Sequence, residues 1–356
     1  MRRLGPAVEA VFRYRRPDPE CWDTVIKAVI AGRGSWDADH ALVQAGRVVS
    51  GQADRLARAL TAFASSSGTV TACAFALAGM GDSRAVSALE RSHFPFGRLH
   101  AHTLAQLPAA ELLPMVRGVL RDPERHGLAL VLDVLAAWGP DAGPAVPEVV
   151  PCLDLDRDYA YQALRVLGRI GPPAEAAADR LADFATGRDP RARRHHLRPA
   201  AWAHWRVTGD DTLALAVCGA AVGSGSAGNG LPFLADLGPA ASRYAGTVRG
   251  LMESPGAWIR TSAAHAYWRI TGDPEPAVPV LLAAVDPGWT GNPAQPVRQA
   301  VRHLGEIGPA AAVAAPRLRG ILDSERRLAY GFRGLSILVD EMYTRTLGEA
   351  LARIER

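Results

Sequence analysis

Apolar residues recur along this chain at helical spacing in short blocks, and glycine followed by a polar or proline start signal divides one block from the next. The clearest instance is Ala300 to Leu322, AVRHLGEIGPAAAVAAPRLRGIL. It reads as one helix, a Gly-Pro corner, and a second helix with a proline about two turns in. Residues 1 to 16 read as a short helix or arm carrying Arg2, Arg3, Arg13, Arg15 and Arg16. Helices are expected over Glu20 to Ala31, Trp36 to Val49 and Gln52 to Ala64, then a loop at Ser65 to Gly68. This first stretch is helical without being self-similar.

From Thr71 the rhythm sharpens. Cys73 to Met80, Phe96 to Gln106, Pro108 to Leu120 and Pro123 to Trp138 read as successive helices. Gly-Pro corners follow at Gly139, Gly171, Gly238 and Gly308, with WRVTGD and WRITGD corners at Gly209 and Gly272 between them. The spacings between these glycines are 32, 38, 29, 34 and 36 residues, the period of a helix-turn-helix solenoid. Four residues before each corner stands a large apolar side chain: Leu135, Leu167, Trp205, Leu234, Trp268 and Leu304, with Leu77 before Gly81. One helical turn back, that residue faces the corner and is expected to pack between paired helices. Asp210 and Asp273 are placed to cap the helices that follow, and Pro147, Pro279 and Pro316 to bend or restart theirs.

LGEIGPAAAVAAPRLRGIL, LRVLGRIGPPAEAAADRLADF and AYWRITGDPEPAVPVLLAAV resemble bacterial HEAT repeats, more narrowly the HEAT-like repeats of phycobilisome lyases. The resemblance runs from about Thr71 to the C-terminus. It implies an all-α, right-handed α-α superhelix of roughly ten helix pairs whose concave face is a protein-binding platform. It carries over no catalytic residue. Deoxyhypusine hydroxylases also use HEAT-like repeats, but they need His-Glu pairs, and no His-Glu dipeptide occurs here. The expected organisation is an irregular helical region over residues 1–68 and one continuous array over 69–356. Two segments break the rhythm: Val222 to Gly230, VGSGSAGNG, and Asp286 to Pro296, which carries an exposed-looking Trp289. The closing segments, Ser324 to Asp340 and Tyr343 to Arg356, are expected to end the array in a charged cap.

Composition adds limits more than chemistry. A chain of 356 residues that is 48% hydrophobic and 21% charged can fold throughout. Its formal net charge is +4, and its basic residues are almost all arginine, Lys27 being the only lysine. Cys21, Cys73, Cys152 and Cys218 are far apart with no CxxC pair, which favours buried free thiols in a reducing compartment. No apolar run reaches about 18 residues, so a cytoplasmic chain with no membrane partner is expected.

VGSGSAGNG lacks the lysine of a phosphate loop, and no GxSxG, HExxH or Cys-His spacing appears. No catalytic, cofactor or metal residue is therefore assigned. The densest basic stretch is Arg188 to Arg206, GRDPRARRHHLRPAAWAHWR. Arginine interleaved with aromatics can grip phosphate or stack on bases, but the favoured reading is a solvated arginine face on one helix, with the tryptophans in the inter-repeat core. On a helix His195 and His196 would point about 100° apart and not share a metal. The expected function is a non-enzymatic scaffold for a protein partner. The alternative is nucleic-acid binding, resembling the HEAT-like alkylpurine DNA glycosylases. Arg191, Arg193, Arg194, Arg198 and Trp289 are the candidate partner-binding residues.

Overall fold

The computed structural model describes residues 4–63, 68–91, 100–122, 127–224 and 230–356. The expected loops at Ser65 to Gly68 and Val222 to Gly230 fall largely outside these residues. The chain begins with α1 (Leu4–Arg13), α2 (Pro19–Ile30), α3 (Trp36–Ala45), α4 (Ala53–Ala62), α5 (Gly68–Met80), α6 (Val86–Arg91) and α7 (Ala101–Leu104). It continues with α8 (Ala109–Leu120), α9 (Leu128–Trp138), α10 (Val146–Val149), α11 (Arg157–Ile170), α12 (Ala178–Thr186), α13 (Leu197–Thr208) and α14 (Thr212–Val222). The last third holds α15 (Leu231–Leu237), α16 (Ala245–Leu251), α17 (Ala257–Thr271), α18 (Ala277–Ala284), α19 (Val297–Ile307), α20 (Ala315–Leu322) and α21 (Arg333–Ile354). Among the described residues the only β pairing is an isolated antiparallel bridge between Tyr14 and Arg326.

The corners explain the pairing. Each Gly-Pro glycine donates its N–H to the carbonyl four residues back: Gly139 to Leu135, Gly171 to Leu167, Gly238 to Leu234, Gly308 to Leu304. Those four leucines are fully buried, and burying each stabilises by about 2 kcal/mol. A 3-10 turn then leads into the outer helix, which restarts at Val146, Ala178, Ala245 or Ala315. Pro147 and Pro316 sit in the first turn of the restarted helix, where a missing N–H costs nothing. In the WRVTGD corner Asp210 accepts from the N–H of Thr212, the first residue of α14, as the sequence suggested; in WRITGD, Asp273 accepts from the Glu275 N–H, in the turn before α18 and not in the helix itself.

The two kinds of corner differ in backbone geometry. Gly308 has φ 74° and ψ −140°, a conformation open essentially to glycine alone. Gly209 has φ 83° and ψ −10°, the left-handed helical region that asparagine tolerates. Gly308→Ala is therefore expected to cost about 1–3 kcal/mol, and Gly209→Asn about 1 kcal/mol or less. Thermal unfolding of the two variants side by side checks this, and equal losses would contradict it. The Gly308 geometry also recurs at Gly46 (φ 41°, ψ −119°), which has no proline after it and so leaves no Gly-Pro mark in the sequence.

The odd-numbered helices form the inner layer. From α3 each packs on the next in the series α5, α7, α9, α11, α13, α15, α17, α19 and α21, and α21 packs back on α3. The even-numbered helices lie outside, each against its own inner partners. The molecule is thus an all-α superhelical array of stacked helix pairs, and this array closes on itself into a ring. Closure corrects the expectation of a free, polar C-terminal cap. Residues 324–332 are not helical, and one long helix, α21, carries Tyr343, Leu347, Ala350, Leu351 and Ile354 into the core. At Gly305 an added Cβ would lie 2.6 Å from the Ala350 Cα, so only glycine admits this approach of α19 and α21.

The joint is ionic at its centre. Asp340, fully buried on α21, receives Arg15 through Nε at 3.1 Å and Nη2 at 2.9 Å. It also receives Arg327 Nη1 at 3.0 Å and the Leu328 N–H at 3.0 Å. Arg327 donates from Nε to the Val11 carbonyl of α1 at 3.0 Å, and Arg15 from Nη1 to the Ile321 carbonyl at 2.6 Å. Nearby, the Gln44 side chain of α3 accepts from the Ile337 and Leu338 N–H groups at the start of α21.

Candidate functional site

Closing the ring turns the concave face into a lumen. Ten inner helices at about 9 Å spacing leave roughly 18 Å between opposite helix walls. Long charged side chains from opposite walls are therefore within reach of one another's fields, and here they are arginines. Arg165 and Arg169 stand one turn apart on α11, Arg206 on α13, Arg298 and Arg302 one turn apart on α19, and Arg345 on α21. Burial lowers the Arg169 pKa; Asp236 of α15 opposes that, and Arg165, Arg206 and Arg302 add to it. Arg302 acting on Arg169 is contact by field across the lumen. Arg165, Arg169, Arg206 and Arg298 have no ion-pair partner among the described residues.

The inner surface deepens into a cavity of about 590 Å³ against α17, α19 and α21. Its wall includes Trp258, Arg298, Arg302 and Arg345, with His102 reaching in from α7. Arg345 Nη1 lies 3.2 Å from His102 Nε2. Burial, then the charges of Arg345, Arg298 and Arg47, push the His102 pKa down to about 4. The imidazole is therefore neutral at pH 7 and its Nε2 accepts from Arg345, which fixes that guanidinium's direction. Burial and Arg302 lower the Arg298 pKa. Its side chain still meets water because the cavity is open, while protein surrounds it on most sides.

A second cluster joins α17 and α19. Glu306 Oε2 lies 2.8 Å from His265 Nε2 and 3.2 Å from His303 Nδ1. Burial opposes ionisation of Glu306, but the two histidines overcome it and its pKa is lowered. The donor set suits a metal by type. The ring geometry does not. The imidazoles stack at 3.6 Å with an 11° interplanar angle, so a shared ion would stand about 1.8 Å, half that separation, off both ring planes. Ring lone pairs lie in the plane. The cluster reads as a half-buried polar contact in which Glu306 ties α17 to α19.

The residues singled out from the sequence fall elsewhere, with one exception. Residues 188–196 form the connection between outer α12 and inner α13, not a helix face, so the helical reading of His195 and His196 does not hold. Their rings meet edge to face at 4.1 Å, and His196 is buried beside Phe184. Arg191 pairs with Asp154 at 3.1 Å and Arg188 with Asp183 at 2.9 Å. Arg193 donates to the Pro190 and Ala192 carbonyls. Arg194 is exposed, and Arg198 is half-buried in the first turn of α13. Trp289, expected to be exposed, is 7% exposed, with its ring edge-on to Tyr343 at 4.8 Å. Burying its large apolar ring outweighs solvation once Nε1 has a partner, the Asn292 carbonyl at 2.9 Å. It alone of the five lines the cavity.

Sequence reasoning missed Arg165, Arg169, Arg298, Arg302 and Arg345. A signal existed. Arginines at i and i+4 repel on an isolated helix, and two such pairs stand on helices that precede Gly-Pro corners.

No family model matches the chain, and no curated protein matches it. Among solved structures, the chain is similar to one described under a conserved phosphorylation switch that controls the interaction between cadherin and beta-catenin. The match covers 98% of this chain and 100% of that one, at 14% identity and a TM-score of 0.34. No helix among the described residues is long and apolar enough to cross a membrane.

Proposed function

We propose that this protein is a binding ring, a non-enzymatic scaffold that holds an acidic segment of a protein partner against the arginines of its lumen. One observation carries the reading. Arg165, Arg169, Arg206 and Arg298 share the enclosed face and make no ion pair among the described residues, Asp236 acting on Arg169 only through its field. Gathering like charges there opposes folding, and a complementary anion relieves it. The corner motifs remain the basis for proposing kinship with bacterial HEAT-like repeats.

Single-stranded nucleic acid is the competing occupant, because arginine with tryptophan suits bases. The tryptophans beside Arg169 and Arg206 favour protein at that part of the lumen. Arg169 lies 5.6 Å from the Trp202 ring and Arg206 5.7 Å from Trp205. Trp202 is itself buried, with Nε1 donating to Asp236 Oδ2 at 3.0 Å. It is not free to stack on a base.

Fluorescence anisotropy with a labelled glutamate-rich peptide tests the proposal. Binding is expected to weaken as salt rises, and by about tenfold or more in Arg169→Glu with Arg302→Glu, about 1.4 kcal/mol. No binding at low salt would sink the idea. Tighter binding of a single-stranded oligonucleotide through the same arginines would replace the partner class.

A further inference from the structure

We infer that the cavity against α17, α19 and α21 is a site for a phosphate monoester: Arg298, Arg302 and Arg345 take the phosphate, and an aromatic wall takes the body of the ester. This rests on the lumen being the ligand-binding face. It adds a defined chemistry and place.

The polar end is built for more charge than a carboxylate carries. Arg298 and Arg302 lie one turn apart on α19 and share the cavity with Arg345 of α21. Arg298 has no ion-pair partner among the described residues. Arg302 is only loosely held, its Nε 3.4 Å from Glu306 Oε1. Arg345 is oriented by His102, with Gln106 Oε1 at 3.5 Å. One carboxylate occupies one guanidinium fork. A phosphate monoester offers three terminal oxygens and nearly two charges, so it can occupy two or three forks at once. Glu349, one turn after Arg345 on α21, is the acid in the same wall, and its charge opposes the lowering of the Arg345 pKa by burial.

The apolar end is preformed. Trp258 is 43% exposed, the largest open aromatic surface on the cavity, and its Nε1 donates to the Ala294 carbonyl at 2.8 Å. Trp289 Nε1 is held by the Asn292 carbonyl. With both indole N–H groups taken up by the 286–296 connection, the cavity meets apolar ring surface from these two residues. Tyr330 and Met342 complete that wall. A volume of about 590 Å³ exceeds what phosphate needs and lies in the range of small-ligand pockets. The shared chemistry, a phosphate ester on a flat apolar body, can come from a phosphorylated tyrosine of a partner or from a free small ester.

Calorimetric titration of the intact protein decides between these. The probes are phenyl phosphate, inorganic phosphate, benzoate, and a phosphotyrosine peptide beside its unphosphorylated form. Phenyl phosphate is expected to bind at least tenfold tighter than benzoate. Arg298→Gln and Arg345→Gln should each weaken it at least tenfold, with circular dichroism melts showing that the variants fold. Trp258→Ala should weaken phenyl phosphate while leaving inorganic phosphate unchanged. A phosphotyrosine peptide binding tighter than phenyl phosphate assigns the ester to a partner protein; its failure beside retained phenyl phosphate assigns a small molecule. Equal binding of benzoate and phenyl phosphate, or no effect of Arg298→Gln, overturns the inference. If the glutamate-rich peptide still binds in that case, the scaffold reading survives alone; if it too fails, both fall.

Discussion

Asp340→Ala opens the ring. Asp340 is the one carboxylate that receives both Arg15 and Arg327, and its side chain is fully buried. Removing it leaves two guanidinium groups facing each other in the joint. Arg327 keeps Glu341 at 2.6 Å, and Arg15 keeps the Ile321 carbonyl, so neither loses every partner. Breaking a buried pair from one side typically costs about 3–5 kcal/mol, because a desolvated charge is left without compensation. Here the loss falls where the two ends of the chain meet. The expected result is a lower melting temperature, a larger radius of gyration by small-angle scattering, and faster proteolysis within residues 322–333. A scattering profile identical to that of the parent protein would show that apolar packing of α21 on α3 holds the ring without the ions.

Acid should unfold this protein well before its carboxylates are protonated. His100, 6% exposed beside the Phe75 ring, has its pKa lowered by burial to about 4. His303, 5% exposed on α19, is likewise lowered to about 4, by burial against the opposing pull of Glu306. An unfolded chain takes up these protons near 6.5. Between about 6.5 and about 4 the unfolded form therefore binds more protons, and stability falls as pH falls through that window. Each histidine accounts for about 2–3 kcal/mol at pH 4.5 relative to pH 7. Two such terms rival the whole stability of a typical domain. Glu306, with its lowered pKa, adds a loss in the same direction below the usual carboxylate range. Urea unfolding at pH 7 and pH 4.5 reads the difference, and His100→Asn should flatten it by one proton. Stability independent of pH across this window would mean that neither imidazole is buried neutral.

Much of the fold was legible because the repeat repeats its causes. Gly171, Leu167 and Pro172 form a corner for reasons confined to a few residues: a positive φ, a leucine one turn back, a proline where no N–H is needed. The outer helices restarting at Pro147 and Pro316 follow from the same local rules. Closure was illegible because its causes lie at opposite ends of the chain. Arg15, in the connection after α1, and Asp340, on α21, are separated by 325 positions, and neither stands out from its neighbours in the sequence. The site was hidden for a related reason. Charge density drew attention to Arg188 to Arg206, yet Asp183 and Asp154 pair with two of its arginines, Arg188 and Arg191. Arg298 and Arg302 drew no attention in the sequence: on an open array their helix face would meet bulk solvent, and only the ring makes that solvent an interior one. Trp289 was singled out for the wrong reason. Its loop is polar, but its ring is drawn under the loop against Tyr343.

The joint between α21 and α3 also constrains how such a molecule changes in length. An open array can gain or lose a helix pair at either end and keep every remaining contact, since each pair touches only its neighbours. A closed one has a fixed copy number. Duplicating the α17–α18 unit would widen the circle and pull Arg15 away from Asp340; deleting it would drive α21 into α3. Variation in this protein is therefore expected in the connections and along the lumen, where side chains can be exchanged without altering the count.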